Sequence, residues 1–241
     1  MSWVIAAFIF ISFAITASTL ITFEGGTDDS VALTVSILIT IYLVGFISMI
    51  ITTAITTASD PTDPTVALER LARQARENNM ALIDFKDEEY RFHCDLCDTH
   101  VLKNTKHCQR CNRCVYEFDH HCVWINNDIG LHNYAAFMRM LLAVFLTCVT
   151  QITLCIYTLV FIKNRVPEKD GTTVGYIKRN DLRILTIFTM AVTIVLLILV
   201  TYLLTYHIYL IKKDTTTYKH IRSQLKRKTA SRVIREVPKP P

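Results

Sequence analysis

Between His93 and Asn133 the chain reads HCDLCDTHVLKNTKHCQRCNRCVYEFDHHCVWINNDIGLHN, which holds six of its eight cysteines and six of its eight histidines. A segment of about forty residues buries too little apolar surface to fold without cross-links. Its cysteines come in CxxC pairs beside histidines, the spacing of metal knuckles rather than of a secreted disulfide framework. Cysteine-rich zinc sites suit a reducing compartment, so this stretch is expected in the cytosol. No internal repeat and no Gly/Ser-rich linker is evident.

The rest of the chain is organised by apolar runs. Of its 241 residues 51% are hydrophobic and 20% charged, with a formal charge of +5. That mixture predicts spans separated by polar segments rather than one soluble core. Trp3 to Phe23 and Val31 to about Ile55 are each long enough to cross a bilayer, joined by a short acidic turn. No basic segment precedes the first run and no small-residue cleavage site ends it, so a cleaved signal peptide is not expected. The prolines of Ser59-Asp60-Pro61-Thr62-Asp63-Pro64 break the helical pattern. Thr65 to about Asn78 then reads as an amphipathic helix, lying on its own domain or along the membrane surface. Phe137 to Ile162 and Ile184 to Ile211 are the third and fourth predicted spans. Lys212 to Pro241 is a basic tail, expected to be partly disordered.

The fold expected is therefore an all-α integral membrane protein with four transmembrane helices and a small two-zinc cysteine-rich module between helices 2 and 3. Its parts are a transmembrane hairpin over 3–55, a linker with the amphipathic helix over 56–92, and the cysteine-rich module over 93–134. Helices 3 and 4 occupy 135–211 with a connecting loop at 163–183, and the tail covers 212–241. Lysine and arginine number about nine in the central segment, about ten in the tail and about five in the loop between the last two spans, against none in the first turn. The positive-inside rule puts the central segment and the tail in the cytosol. The Lys226-Arg227-Lys228 cluster suits anionic cytosolic lipid or a plain solvated anchor.

The chemistry follows from ligand arithmetic. Zinc takes four donors from thiolate, imidazole or carboxylate. Cys94/Cys97 and Cys108/Cys111 are two knuckles, Cys111/Cys114 has the same spacing, and His107, His121 and Asp128 are further donors. That suffices for two sites with a surplus. The surplus lies in Asp119-His120-His121-Cys122, where a carboxylate, two imidazoles and a thiol are consecutive. A nucleophilic cysteine needs a base to form thiolate, and a third group to orient that base. Asp, His and Cys can fill those roles while the other histidine binds metal; alternatively all four residues finish a zinc site.

At these residues the sequence resembles the DHHC family of protein S-acyltransferases, the integral-membrane palmitoyltransferases. The resemblance runs through CxxC (Cys94, Cys97), HCxxCxxC (His107, Cys108, Cys111, Cys114) and DHHC (Asp119 to Cys122) to Trp124, Asn126-Asn127, Gly130 and Asn133. Asp60-Pro61-Thr62 is similar to the family's Asp-Pro-Gly motif, and Thr216-Thr217-Tyr218-Lys219 to its Thr-Thr-x-Glu motif. The resemblance implies a two-step transfer: Cys122 takes the acyl group from palmitoyl-CoA and passes it to a cysteine of a membrane-associated protein. It gives His120 the role of base, Asp119 that of orienting acid, and Thr217 that of holding the aspartate. Trp124 stands beside the nucleophile. It also implies two structural zinc ions, one on Cys94, Cys97, His107 and Cys114, the other on Cys108, Cys111, His121 and the position of Asp128. Lys103, Lys106, Arg110 and Arg113 are candidates for the CoA phosphates, or else solubilising charge. The expected partners are the bilayer, fatty acyl-CoA and membrane-associated proteins with cytosolic cysteines, without nucleic acid. The expected location is the endoplasmic reticulum or Golgi membrane.

Several residues depart from the family pattern. Asp128 replaces a third cysteine ligand, and water or His132 is the alternative to it. Val123 stands where proline is common and Asn104 where a basic residue is common. Thr62 replaces a glycine, and Lys219 a glutamate. These departures motivate a rival reading, a membrane-anchored zinc adaptor with little transferase activity. A membrane ubiquitin ligase is excluded by the order of its paired ligands. Cys148 and Cys155 are read as packing residues, and Gln151 with Thr186, Thr189, Thr193, Thr201 and Thr205 as interhelical hydrogen-bonding groups. His207 is read as an interface residue, and His93 and His100 as surface residues.

Overall fold

The computed structural model describes residues 29–78, 92–165, 173–174 and 177–236. The predicted first span and the acidic segment at 84–89 lie outside them. Five helices are described: α1 (Asp29–Ala58), α2 (Pro64–Glu77), α3 (Leu131–Arg165), α4 (Arg179–Lys212) and α5 (Thr217–Glu236). Three of them contain stretches long and apolar enough to cross a membrane: Leu33–Ala58, Leu131–Val160 and Asn180–Lys212. Between α2 and α3 run six three-residue strands, β1 (Phe92–Cys94), β2 (Thr99–Val101), β3 (Lys106–Cys108), β4 (Arg113–Val115), β5 (His120–Cys122) and β6 (Asn127–Ile129). A short hairpin of β7 (Thr173–Val174) and β8 (Ile177–Lys178) interrupts the predicted loop between the last two spans.

The chain divides into two compact units. The first comprises Met1–Ile55 with Met138–Thr205. Its core repeats every seven residues along α1, where Val35, Tyr42 and Met49 are buried with Ala143 and Leu154 of α3. A Cβ on Gly45 would come within 3.2 Å of Thr147 Oγ1, so a small residue permits this close approach. Cys148, Cys155 and Gln151 are buried within α3, and Gln151 Nε2 donates to Cys155 Sγ at 3.6 Å. The hydroxyls of Thr186, Thr193, Thr201 and Thr205 donate to the carbonyl four residues back on their own helix. They were expected to bond between helices; the i−4 carbonyl is nearer and satisfies the hydroxyl at no ordering cost to a neighbour.

The second unit comprises Thr56–Phe137 with Tyr206–Pro241. Asp63 starts α2 as its N-cap, accepting from the Thr65 N–H at 2.9 Å, and Pro64 occupies the first helical position, where no donor is needed. The same buried carboxylate accepts from Leu102 N at 2.9 Å and from Thr105 Oγ1, which ties α2 to the strands. Of the predicted apolar face, Val66 and Ala72 are buried, and Val66 packs on Val101 and Cys114. Leu68 and Leu71 remain exposed. The helix thus lies on its own domain.

The six strands form three antiparallel hairpins on one plan, and here the structure corrects the expectation of no internal repeat. His93, His107 and His121 each precede a cysteine, at a spacing of fourteen residues. Each such His-Cys pair ends the first strand of a hairpin. The histidine faces His100, Cys114 or Asp128 across the hairpin, and the cysteine faces Thr99, Arg113 or Asn127. The residue entering each second strand is left-handed: Asp98 (φ 48°), Asn112 (φ 48°) and Asn126 (φ 50°), types that tolerate this conformation. The hydrophobic residue at the end of each second strand, Val101, Val115 or Ile129, is buried. Gly130 follows because a Cβ there would lie 2.5 Å from Val115 Cγ1 and 2.8 Å from the Tyr116 carbonyl oxygen.

The tail, expected to be partly disordered, forms α5. Thr216 caps it, with Oγ1 accepting from Lys219 N at 3.3 Å. The residues that follow are rich in lysine and arginine, which favour helix.

Candidate functional site

The hairpins place metal-capable side chains by interleaving. Each turn supplies a CxxC pair, and the next hairpin supplies a cross-strand pair whose side chains project side by side. Cys94 and Cys97 from the first turn meet His107 and Cys114 of the second hairpin; Cys108 and Cys111 from the second turn meet His121 and Asp128 of the third. In the first group His107 Nδ1 lies 3.8, 3.2 and 3.9 Å from the sulfurs of Cys94, Cys97 and Cys114. In the second, His121 Nδ1 lies 4.0 and 3.3 Å from those of Cys108 and Cys111, and 2.8 Å from Asp128 Oδ1. All eight predicted donors are therefore gathered, four and four. His132 belongs to neither group, and Cys122 to neither.

Asp128 is fully buried and divides its oxygens. Oδ1 faces His121, and Oδ2 accepts from Arg113 Nε at 3.2 Å. Arg113 also donates to Asp60 Oδ1 at 3.2 Å and to the Asn127 side-chain oxygen. This expected phosphate ligand is thus committed to the module. Asn127 in turn caps the end of α1, with Nδ2 donating to the carbonyls of Thr56, Thr57 and Ser59 at 3.0, 3.2 and 2.8 Å.

Around Cys122 the structure assembles a different group. Asp119 is buried; its Oδ2 holds His120 Nδ1 at 2.7 Å, and its Oδ1 accepts from the Thr217 backbone N–H at 2.8 Å. The predicted contact from Thr217 is therefore made by its main chain, while its hydroxyl is buried without a hydrogen bond. His120 also interacts electrostatically with the Cys122 thiol. Burial alone would raise the Asp119 carboxyl, but the hydrogen bonds from His120 and Thr217 prevail and hold it below its usual value. Burial also disfavours the His120 imidazolium, yet Asp119 and then Cys122 outweigh it and push its pKa up to about 9. The Cys122 thiol is pushed up by burial and drawn further down by His120 and the Trp124 and Ile125 backbone N–H groups, ending below its ordinary value. The arrangement favours a thiolate beside an imidazolium. Trp124 is part-exposed next to it.

His207, read from the sequence as an interface residue, is instead buried beside the DHHC residues. It shares a hydrogen bond with the Tyr134 hydroxyl at Nδ1 (2.9 Å) and packs at centroid distances of 5.7 Å on His120 and 5.0 Å on Phe137. Its ring nitrogen joins Asp119 and His120 as a third metal-capable group.

One opening adjoins Asp119 and His120, and a second shares Phe118, Tyr218 and Arg222 with it. A cleft of about 470 Å³ is lined by Asp119, His120, Tyr218, Ile221 and Leu225, among others. A groove of about 550 Å³ carries Lys103, Lys106, Lys219, Arg222 and Lys226 around the aromatic rings of Phe92, Phe118 and Tyr218. Of the four predicted CoA contacts, Lys103 and Lys106 line this groove; Arg110 and Arg113 do not. Lys219, at the position of the motif glutamate, bonds Glu117 Oε2 at 2.5 Å. It thereby ties the first turn of α5 to the segment just before Asp119.

Membrane-length helices, two interleaved Cys/His groups and a buried Asp–His pair beside an unligated cysteine define a cysteine-rich membrane-type protein with a thiol site. The family model for the DHHC palmitoyltransferase matches residues 87–224, and the chain belongs to that family. Among curated relatives it is 30% identical over 139 residues to probable protein S-acyltransferase 7 of Arabidopsis thaliana, covering 57% of this chain and 30% of that protein. It is 39% identical over 77 residues to palmitoyltransferase ZDHHC4 of Bos taurus, covering 32% of this chain and 22% of the relative. The chain thus spans under a third of the length of these relatives.

Proposed function

We propose that the chain is a protein-cysteine S-acyltransferase in which Cys122 carries the acyl group, His120 moves the proton and Asp119 orients His120. The observation that carries this reading is the Asp119–His120–Cys122 relay, built on a buried carboxylate held at both oxygens. In the first half-reaction the Cys122 thiolate attacks the thioester carbon of a fatty acyl-CoA. The carbon–sulfur bond to CoA breaks, and the departing CoA thiolate takes the proton held on His120. In the second, neutral His120 takes the proton of an acceptor cysteine, whose sulfur attacks the Cys122 thioester and restores the Cys122 thiolate. His207 packs against the His120 ring.

The two four-residue groups suit zinc. A tetrahedral ion with bonds near 2.3 Å to sulfur and 2.1 Å to nitrogen sets neighbouring donors roughly 3.6 Å apart. The observed S···N separations of 3.2 to 4.0 Å bracket that value. Cys94, Cys97, His107 and Cys114 would hold one ion; Cys108, Cys111, His121 and Asp128 the other. Four protein donors leave no open position, so the metal supplies cross-links and no chemistry. We infer in addition a fourth span at Trp3 to Phe23 from its sequence, and a module on the cytosolic face of the endoplasmic reticulum or Golgi membrane, the side on which lysine and arginine concentrate.

The test is self-acylation. Purified chain offered labelled palmitoyl-CoA should gain a hydroxylamine-sensitive adduct on Cys122 and pass it to a cysteine peptide; a folded two-zinc chain that gains none overturns the reading. The basic groove is the natural seat for the CoA phosphates, through charge-assisted contacts from Lys106, Arg222 and Lys226. Lys106→Glu with Arg222→Glu should raise the acyl-CoA concentration for half-maximal labelling about tenfold or more, at two contacts of ~1 kcal/mol each, with little change in the rate at saturation.

A further inference from the structure

The third hairpin keeps the plan of the first two, but its turn lacks their second cysteine. The turns after Cys94 and Cys108 return a second cysteine, Cys97 and Cys111; the turn after Cys122 returns Ile125. The turn itself is unchanged. It has the same register, with Cys122 opposite Asn127 as Cys108 is opposite Arg113, and the same left-handed residue at Asn126. The backbone N–H groups two and three residues on point at the cysteine sulfur in every case. Leu96 and Cys97 serve Cys94, Arg110 and Cys111 serve Cys108, and Trp124 and Ile125 serve Cys122. Ile125 is buried, where its counterparts Cys97 and Cys111 are half-buried. Two imidazoles also stand near: His120 interacts electrostatically with the Cys122 thiol, and His207 lies within ligand range of His120 and Asp119.

We propose that Cys122 is the free arm of a third metal knuckle, and that Ile125, by withholding the second thiolate, keeps a metal ion off the nucleophile. This goes beyond the acyltransferase reading and rests on it only in naming Cys122 as the acyl carrier. The physical logic concerns one donor. A thiol with one or two imidazoles binds zinc weakly, whereas a CxxC turn supplies two thiolates preorganised on one side of the ion. An ion held there would occupy the sulfur lone pair and the His120 nitrogen that the transfer needs. The module folds around zinc, so its nucleophile sits where the ion would otherwise compete. An isoleucine side chain has no donor atom, and it fills the space a cysteine would leave.

The prediction is a gain of metal. Wild type, Ile125→Val, Ile125→Cys and Ile125→His are purified as full chains in detergent under a phosphine reductant, and zinc per chain is measured. Wild type and Ile125→Val should carry two ions. Ile125→Cys, and Ile125→His through a Cys-x-x-His turn, should carry a third. That ion should disappear again when Cys122→Ser is added. In cobalt-exchanged protein the third ion of Ile125→Cys should add sulfur-to-cobalt absorption in the near ultraviolet. Labelling by palmitoyl-CoA should fall at least a hundredfold in Ile125→Cys and persist in Ile125→Val. Folded Ile125→Cys and Ile125→His chains that both hold only two ions would overturn the proposal, as would a third ion that survives Cys122→Ser. The metal count is independent of acyl transfer, so a wild type that takes no label would refute the enzyme reading and leave this one to be decided by stoichiometry.

Discussion

Cys122→Ser should hold two zinc ions per chain and take no hydroxylamine-sensitive label from palmitoyl-CoA. The serine hydroxyl keeps the volume and the turn, and it leaves the eight gathered donors untouched, because Cys122 belongs to neither group. What it removes is a thiol that His120 and two backbone N–H groups hold below its ordinary pKa. His120→Ala should lower the labelling rate by about 10² to 10⁴, the usual worth of a positioned proton-transfer group. Asp119→Asn should fall between wild type and His120→Ala, since it keeps a hydrogen bond to the ring and loses the negative charge that stabilises the imidazolium. The three variants separate the rival readings. A membrane-anchored zinc adaptor would show no label in wild type and no difference among them. A purely structural role for Asp119-His120 would show lost zinc alongside lost label. Label that persists in Cys122→Ser with two zinc ions bound would place the acyl carrier elsewhere.

The module and its relay were readable in the sequence because their chemistry uses side chains that occur in few other patterns. The CxxC pairs, His107, His121 and Asp119 to Cys122 announce themselves, and the three apolar runs that the structure describes stand close to their expected bounds. What escaped was carried by the backbone or by distance along the chain. Thr217 was expected to hold Asp119, and the bond it makes comes from the main-chain N–H that every residue but proline owns. The threefold hairpin repeat was hidden because the histidine-facing position carries His100, Cys114 and Asp128 in turn, three residue types with no common letter. It becomes visible in the register and in the left-handed Asp98, Asn112 and Asn126. His207 sits in an apolar span far along the chain from the DHHC residues, and only folding brings it to His120. Arg113 was read as a ligand for phosphate because lysines and arginines look alike on a linear map. The buried carboxylate of Asp128 and the exposed one of Asp60 claim it instead.

Lys219 illustrates the same point for a departure that looked damaging. A glutamate at the third position of a helix capped by threonine completes a capping box, and a lysine there gives up that bond and opposes the helix dipole. Glu117 stands across from it and supplies the missing charge. The local cap is replaced by a tie between α5 and the turn that leads into Asp119, so the departure changes how the motif is held rather than whether it is held.

Asp128→Ala should carry one zinc ion per chain where wild type carries two, and Asp128→Cys should carry both. The alanine removes one of four donors from a buried site and leaves Arg113 and His121 facing a space without a partner. Structural zinc in a small module is worth about 10 kcal/mol or more of folding free energy. Its loss should therefore abolish the cooperative unfolding of the third hairpin, along with acyl labelling. The cysteine supplies a thiolate at similar reach and should keep the ion, but it has no second oxygen for Arg113. That guanidinium would keep its bonds to Asp60 and Asn127. Cobalt exchange distinguishes the two sites directly. Sulfur-to-cobalt absorption grows with the number of thiolates, so wild type should show five such bonds, three from the first group and two from the second. Asp128→Cys should show six. Two ions retained in Asp128→Ala would mean that water or His132 completes the shell, and the carboxylate would then be an Arg113 partner with no part in the metal site. One ion in wild type itself would mean that two thiolates, an imidazole and a carboxylate do not hold zinc here, and Asp128→Cys should then restore the second ion.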